Sequence, residues 1–201
     1  MARKKTPEDK IIDAALKLAA SRGWHDLALA DIAEAAKVGL PELAQLFPTK
    51  AAILAAWSRR IDAEVLAAAG AEDLAGEAAR DRLFDVLMLR FDALAPQKPA
   101  LRNIARDIAR DPVAAAALLR PALQSLGWML EAAGIDASGL RGALRVRGLA
   151  LVWAAAFRVW LDDGEDQAKT MAELDRRLRQ GEDFIAAMSR FGSARKDGQA
   201  A

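Results

Sequence analysis

Apolar residues recur at intervals of three and four along most of the 201-residue chain, which is the period of an amphipathic α-helix. No run shows the strict alternation that marks a half-buried strand. Thr6 and Pro7 predict the start of the first helix, and Gly23 predicts its end. The pattern therefore predicts an all-α protein of about nine helices. The helices predicted in the second half of the fold span residues 77–95, 99–110, 112–133, 138–161 and 165–190.

Residues 28–50 contain two short helical patterns separated by a turn. Residues 31–36 predict one compact helix, which Gly39 ends because it can adopt backbone angles closed to other residues. Pro41 suits the first turn of a second short helix, and Thr49 can cap a third, longer one. This arrangement is a helix-turn-helix, whose second helix can enter the major groove of DNA.

Composition agrees with a helical core and a weakly basic N-terminal part. Hydrophobic residues make up 53% of the chain and charged residues 28%, with a formal net charge of +1. Residues 1–60 contain 10 Lys/Arg and 7 Asp/Glu, a net of +3, whereas the remainder contains 19 and 21, a net of −2. That asymmetry has the sign expected of a domain that faces DNA. Because Cys is absent and no apolar run reaches the roughly 20 residues of a membrane span, we expect a cytoplasmic protein.

Several of these residues resemble the N-terminal signature of TetR-type transcriptional regulators. The resemblance rests on residues 11–15 (IIDAA), 22–24 (RGW), 31–33 (DIA), Val38, Leu43, 47–50 (FPTK) and Leu54. It implies a helix-turn-helix domain over residues 1–50, a helical ligand-binding and dimerisation domain over 51–191, and repression of transcription. After Val38 that family usually has small polar, basic and tyrosine residues, whereas this chain has mainly apolar residues and Glu42. From residue 192 onward the sequence is small and polar, so we expect a disordered tail over 192–201.

Few side chains are available for contacts with double-stranded DNA. Lys50, at a helix start, could meet a phosphate through its charge and through adjacent backbone N–H groups. Gln45 has the geometry that suits an adenine edge, and a basic arm at residues 3–5 could add phosphate contacts. The alternative is that these lysines are ordinary solvated charges. The residues expected to meet DNA are Lys37, Gly39, Leu40, Pro41, Gln45, Thr49 and Lys50.

Residues 149–157 form an apolar helical run with no polar side. Such a helix must be covered all round, which one subunit of this size would not achieve. We therefore expect it to pair with the last helix in a four-helix homodimer interface, whose two-fold axis matches a palindromic DNA site. The alternative is a central core helix. The expected interface residues are Leu149, Val152, Ala156, Trp160, Met171, Leu174 and Leu178.

Large apolar side chains among many alanines could leave a ligand cavity between helices of the second domain. An apolar or amphipathic small ligand would fit such a cavity, with Asn103, Gln124 and Arg145 as its polar contacts. Equally, these large side chains could simply fill the core. The residues expected to line the pocket are Met88, Phe91, Asn103, Gln124, Trp128, Trp153 and Phe157.

The sequence contains no pattern typical of an enzyme or a metal centre. His25 is the only histidine, and there is no cysteine to complete a zinc site. The acidic residues 162–166 lack the glycine spacing of a calcium loop, so we interpret them as helix caps. No phosphate-binding glycine motif or activated nucleophile is present. We expect no catalytic residue, metal or cofactor.

A second resemblance concerns the C-terminal part. Residues 126–135 and 160–178 resemble the lipid-binding proteins of ubiquinone biosynthesis, which share the TetR-like fold without acting as DNA regulators. That resemblance implies an isoprenoid ligand and a membrane-facing amphipathic helix, here carrying Phe184, Ile185, Met188 and Phe191. The alternative is a last helix that packs in the dimer. The intact N-terminal pattern favours a homodimeric regulator over a lipid-binding protein.

Overall fold

The computed structural model describes the backbone of residues 5–70 and 77–197, and side chains within these ranges as far as Asp183. Over these residues the chain is all-α, as predicted, with nine α-helices and one short 3-10 turn at Ala95–Gln97. The α-helices are α1 (Pro7–Arg22), α2 (Leu29–Ala36), α3 (Leu40–Leu46), α4 (Lys50–Ala68), α5 (Ala79–Leu94), α6 (Lys98–Ile108), α7 (Pro112–Ala132), α8 (Gly139–Asp162) and α9 (Ala168–Asp197).

The predicted caps of the N-terminal helices form as their side chains require. The Thr6 hydroxyl accepts from the backbone N–H of Asp9, whose carboxylate accepts from the Thr6 N–H in return, so α1 begins with a capping box. Gly23 ends α1 with a φ of +88°. Thr49 caps α4 by accepting from the backbone N–H of Ala52. These local bonds fix the boundaries of α1 and α4.

The helices α1, α2 and α3 enclose a small core, and α4 continues from it to the helices that follow. The predicted core residues Ile32, Leu43 and Phe47 are buried, and Trp24 seals the end of α1. Beyond this core, α4 packs on α7 and α5, and α8 packs on α9 and α7. One hydrophobic core therefore runs from the N-terminal helices through α4 to helices α5–α9.

The last helix is longer than predicted. Helix α9 continues to Asp197, so the tail predicted from residue 192 begins within a helix. The side chains of Phe184, Ile185, Met188 and Phe191, the predicted membrane-facing set, lie outside the described residues.

Helix α7 is long and apolar enough to cross a membrane by length and composition, which the sequence analysis did not anticipate. Only 22% of its most apolar window is buried, and Val113, Leu119 and Trp128 are exposed large side chains on it. Because the same helix packs on α4, α5 and α8, it also forms part of the folded core.

Candidate functional site

The turn between α2 and α3 is held by Lys37 rather than by Gly39. Lys37 has a φ of +56° and ends α2 in the left-handed conformation. Gly39 has a φ of −69°, a value open to any residue, and serves as the N-cap of α3. The prediction that Gly39 supplies the unusual backbone angles is therefore wrong, although the turn forms at the predicted place.

Helix α3 presents an exposed face of mixed character. Leu43 is fully buried and anchors the helix, while Pro41, Glu42 and Gln45 are exposed and Leu40 is 49% exposed. The predicted contacts Leu40, Pro41 and Gln45 thus lie on the outward face, together with the exposed Lys37 at the end of α2 and Thr49 before α4.

An open groove of about 450 Å³ runs between the start of α1 and α3. Glu8 and Glu42 both line it, beside Gln45 and Thr6. Two carboxylates repel phosphate, so affinity for DNA along this groove must come from other groups.

Lys50 is engaged within the protein. Its ammonium group donates to the backbone carbonyls of Trp24 at 2.8 Å and His25 at 3.1 Å, and lies 5.3 Å from the centre of the Trp24 ring. Burial lowers the pKa of Lys50, which neighbouring carboxylates of Asp107 and Asp26 partly counteract. Lys50 thus ties the start of α4 to the loop after α1, and its contact with a phosphate stays a prediction.

Helix α6 holds the same loop from the other side. A carboxylate oxygen of Asp107 accepts from the backbone N–H groups of Trp24 at 2.7 Å and His25 at 2.9 Å. These bonds, with that from His25 contributing most, hold the pKa of Asp107 below its ordinary value. We call Lys50, Asp107 and the Trp24–His25 peptide segment between them the loop clamp.

Asn103 belongs to this contact between domains rather than to a ligand pocket. Its amide donates to the carbonyls of Ala19 at 2.9 Å and Ala20 at 3.2 Å in the last turn of α1, and the Ala19 carbonyl also accepts from the Gly23 N–H. The sequence-based assignment of Asn103 to the pocket is therefore corrected. Together Asn103 and Asp107 attach the N-terminal helices to α6 by side-chain hydrogen bonds.

The predicted pocket aromatics lie together as a stack on α5 and α8. The ring centroids of Phe91 and Trp153 are 4.5 Å apart, and those of Trp153 and Phe157 are 5.9 Å apart. Trp160, predicted as an interface residue, closes the stack against Phe157 at 5.6 Å. Gln124 and Trp128 do not join this stack, since both are exposed on α7. Met88 is partly buried against the core.

Arg145 also forms its hydrogen bond within the protein and away from the predicted pocket residues. Its guanidinium donates to the carbonyl of Asp136, in the loop before α8, at 2.8 Å. None of the three predicted polar contacts therefore lies beside the aromatic stack in the described structure.

Most of the predicted interface residues are covered within one chain. The five that are buried this way pack between α8, α9 and their neighbours: Leu149, Ala156, Trp160, Leu174 and Leu178. Their place in a dimer interface stays a prediction, and within one chain they have little surface to offer a second subunit. Val152 is partly buried and Met171 is 39% exposed. The opposite face of α8 is uncovered instead, with exposures of 78% for Leu140, 60% for Leu144 and 77% for Leu151.

The acidic residues before α9 act within the protein. A carboxylate oxygen of Asp163 accepts from the backbone N–H and the hydroxyl of Thr170, both at 2.7 Å, in the first turn of α9. His25 lies exposed in the loop clamp. Among the described residues no group of three or more His, Asp or Glu side chains could hold a metal ion.

A buried polar cluster at the junction of α4, α5 and α7 was not predicted from the sequence. Asp62 on α4, Arg90 on α5 and Ser125 on α7 are 5%, 6% and 3% exposed. A signal was available, because Asp62 adjoins Ile61 on the apolar side of α4, where a carboxylate needs a partner. The partner, Arg90, could not be identified without the tertiary structure.

Comparisons with known proteins agree with the first resemblance. Residues 11–57 match the sequence model of the protein family described as "bacterial regulatory proteins, tetR family". A TetR transcriptional regulator from Nitrosomonas europaea has a similar structure, with a TM-score of 0.68 and 25% identity over 88% of this chain and 98% of that one. Another from Rhodococcus sp. RHA1 has a TM-score of 0.61 and 18% identity over 87% of this chain and 94% of that one. No curated protein matches the sequence. The TetR-type resemblance is confirmed.

Proposed function

We propose that this protein is a one-component transcriptional repressor. The proposal is supported by the match of its N-terminal residues to the tetR family and by its TetR-type fold. It binds palindromic double-stranded DNA as a homodimer, and an apolar or amphipathic small ligand changes its affinity for that DNA. The cytoplasm is its place of action.

The observation that carries this proposal is the outward face of α3 within the matched domain. Leu43 fixes the helix to the core, while Leu40, Pro41 and Gln45 point away from it. A helix anchored in this way after a tight turn has the placement of a recognition helix. Gln45 is the side chain on it that can read a base edge through two hydrogen bonds.

Dimerisation is proposed through the uncovered face of α8. Leu140, Leu144 and Leu151 lie on one side of the helix and expose most of their apolar surface. Burial of exposed apolar surface favours association by roughly 25 cal/mol per Å². A two-fold axis through this face would set the two α3 helices at a fixed separation, as a palindromic site requires.

The loop clamp connects the two domains in this proposal. A ligand that shifts α6 relative to α4 would move Asp107 relative to Lys50, and with them the loop after α1. The separation of the two recognition helices would change, and so would the fit to half-sites about 34 Å apart.

The second candidate function is a lipid-binding protein that does not bind DNA. It is favoured by the acidic groove beside α3, which contains Glu8 and Glu42, and by the exposed apolar side chains of α7. Mass spectrometry of an organic extract of the purified protein would identify a bound isoprenoid or acyl lipid under this alternative.

Two single substitutions on α3 test the proposed reading face. Gln45→Ala should weaken binding to the palindromic DNA site that the protein prefers by about 1–3 kcal/mol, because a base contact is lost. Glu42→Ala should strengthen it, because a carboxylate that repels phosphate is removed. Both residues are exposed, so neither change should alter thermal stability. Equal DNA affinities for the wild type and both variants would contradict the assignment of α3 as the reading helix.

A further inference from the structure

A buried polar cluster joins three helices of the second domain. The Arg90 guanidinium on α5 donates through Nη1 to a carboxylate oxygen of Asp62 on α4. The same oxygen accepts from the hydroxyl of Ser125 on α7 at 2.6 Å. Arg90 also donates through Nη2 to the hydroxyl of Ser58 at 3.3 Å. The cluster lies in the core at the junction of α4, α5 and α7.

One donor in this cluster has no partner. The Arg90 side chain is 93% buried. Its Nε is fully buried and makes no hydrogen bond to any described residue. Buried donors are almost always paired in folded proteins, because an unpaired one loses its hydrogen bond to water without a replacement. The N–H of Arg90 Nε is therefore available to an acceptor other than the residues that the structure describes.

The surroundings of this donor are aromatic. The Arg90 guanidinium carbon lies 5.3 Å from the centre of the Trp153 ring, which stacks on Phe91 and Phe157. Phe91 is fully buried, whereas Trp153 and Phe157 are only partly buried. Trp153 and Phe157 are therefore the rings of this stack that keep some exposed surface, and an aromatic ligand at this site would contact them.

Charge restricts what that acceptor can be. The positive charge of Arg90 is already balanced by Asp62 at hydrogen-bonding distance. A ligand carboxylate would add a buried negative charge without a counter-ion, which is unfavourable in a core of this kind. A neutral carbonyl oxygen satisfies the free N–H without that cost.

We infer that this cluster is a binding site for an uncharged aromatic or polycyclic molecule with a carbonyl oxygen, which accepts a hydrogen bond from Nε of Arg90 and stacks on Trp153. The inference rests on the proposed ligand-binding role of the second domain and assigns the polar anchor that Asn103, Gln124 and Arg145 do not supply. The site joins α4, which begins in the loop clamp, to α5 and α7, so an occupant would contact the helix that connects the two domains.

Three probes of the same size test the inference on the full-length protein. They are 1-acetonaphthone, with a neutral carbonyl; 1-ethylnaphthalene, with no acceptor; and 1-naphthoate, with a carboxylate. Affinities are measured by calorimetry and by quenching of tryptophan fluorescence. The ketone should bind at least about tenfold more tightly than the hydrocarbon, the gain expected from a hydrogen bond to a charged donor. The naphthoate should bind more weakly than the ketone.

A paired substitution identifies the donor. Asp62→Asn with Arg90→Gln removes Nε and keeps the site neutral, so the preference for the ketone over the hydrocarbon should fall to about onefold. Arg80→Gln, at the far end of the same helix, should leave the preference unchanged. If the paired variant does not fold, the three probes on the wild type still decide the question.

Equal affinities for ketone and hydrocarbon, tightest binding of the naphthoate, or no binding of the ketone would each overturn the inference. If the protein prefers the ketone but selects no DNA, the proposed regulatory function is wrong and the binding site stands. If the protein selects DNA but does not prefer the ketone, only the proposed binding site is wrong.

Discussion

The loop clamp predicts that Asp107→Ala separates the N-terminal helices from α6. One carboxylate oxygen of Asp107 accepts two backbone N–H groups, from Trp24 and His25, and alanine removes both bonds. Both donors lie in the loop after α1, more than 80 residues from Asp107 along the chain. The substitution should therefore reduce both the stability and the fixed orientation of the helix-turn-helix.

The magnitude follows from the exposure of the two bonds. The bond from Trp24 is partly buried at 2.7 Å, and the bond from His25 lies at an exposed residue at 2.9 Å. A hydrogen bond to a charged group contributes about 1.5–3 kcal/mol, and solvent reduces the exposed one well below that range. We expect the free energy of unfolding to fall by about 2 kcal/mol, which corresponds to a decrease in Tm of about 4–8 °C.

Urea unfolding followed by circular dichroism measures this change. The matched control is Asp26→Ala, which removes an exposed carboxylate from the same loop region and should cost less than about 0.5 kcal/mol. If Asp107→Ala destabilises the protein no more than the control does, the Asp107 carboxylate does not stabilise the loop, and the proposed role of the loop clamp is wrong.

The same pair of proteins makes a prediction for pH. The backbone bonds hold the pKa of Asp107 below its ordinary value of 3.8 in the folded state. A carboxyl with a depressed folded pKa stabilises the protein above its unfolded pKa and loses that contribution as pH falls through the folded pKa. The difference in unfolding free energy between wild type and Asp107→Ala should therefore be constant down to about pH 5 and shrink below about pH 4.

Three further substitutions test other parts of the fold. Gly142→Ala should destabilise the protein by about 2 kcal/mol or more in urea unfolding, because the added Cβ would lie 2.0 Å from the backbone of Ala137 in the preceding loop. The control is Gly148→Ala in the same helix, whose Cβ meets nothing within 4 Å and which should be neutral or stabilising. Leu151→Asp should shift the dimer to monomer in analytical ultracentrifugation, whereas Val113→Asp on α7 should not, and the opposite order would move the interface to α7. Thr49→Ala should lower stability by about 1 kcal/mol through loss of the α4 cap, and an unchanged Tm would deny the cap that role.

Local signals were sufficient for most helix boundaries. Thr6, Pro7 and Thr49 define helix starts through bonds to the next few residues, so their roles are readable without the fold. The turn of the helix-turn-helix was located for the same reason. Its left-handed residue was misassigned to Gly39, because glycine is the usual choice and nothing local indicates that Lys37 adopts the conformation instead.

Helical periodicity identified α8 as apolar but could not decide which side remains uncovered. Leu149 and Leu151 are both leucine and only two residues apart, yet one is buried by α9 and its neighbours and the other is 77% exposed. That outcome depends on where the other helices pack. The sequence therefore identifies α8 as apolar but does not show which of its faces the chain itself leaves uncovered.

The functional side chains were the least predictable part. Lys50 is a plausible phosphate ligand in the sequence, but in the fold its ammonium group meets carbonyls of Trp24 and His25. Arg90 and Asp62 are 28 residues apart, and their pairing exists only because α4 and α5 are neighbours. Contacts between distant residues are set by packing, which residue type and spacing do not specify.

The central claim is that the N-terminal domain reads DNA. Genomic DNA fragments are selected by the purified protein, and the affinity of the best fragment is then measured over a range of salt concentrations. We predict enrichment of a palindrome whose half-sites are about one helical turn apart, with an affinity that falls steeply as salt rises. Absence of enrichment even at low salt would contradict the proposed function and favour the lipid-binding alternative.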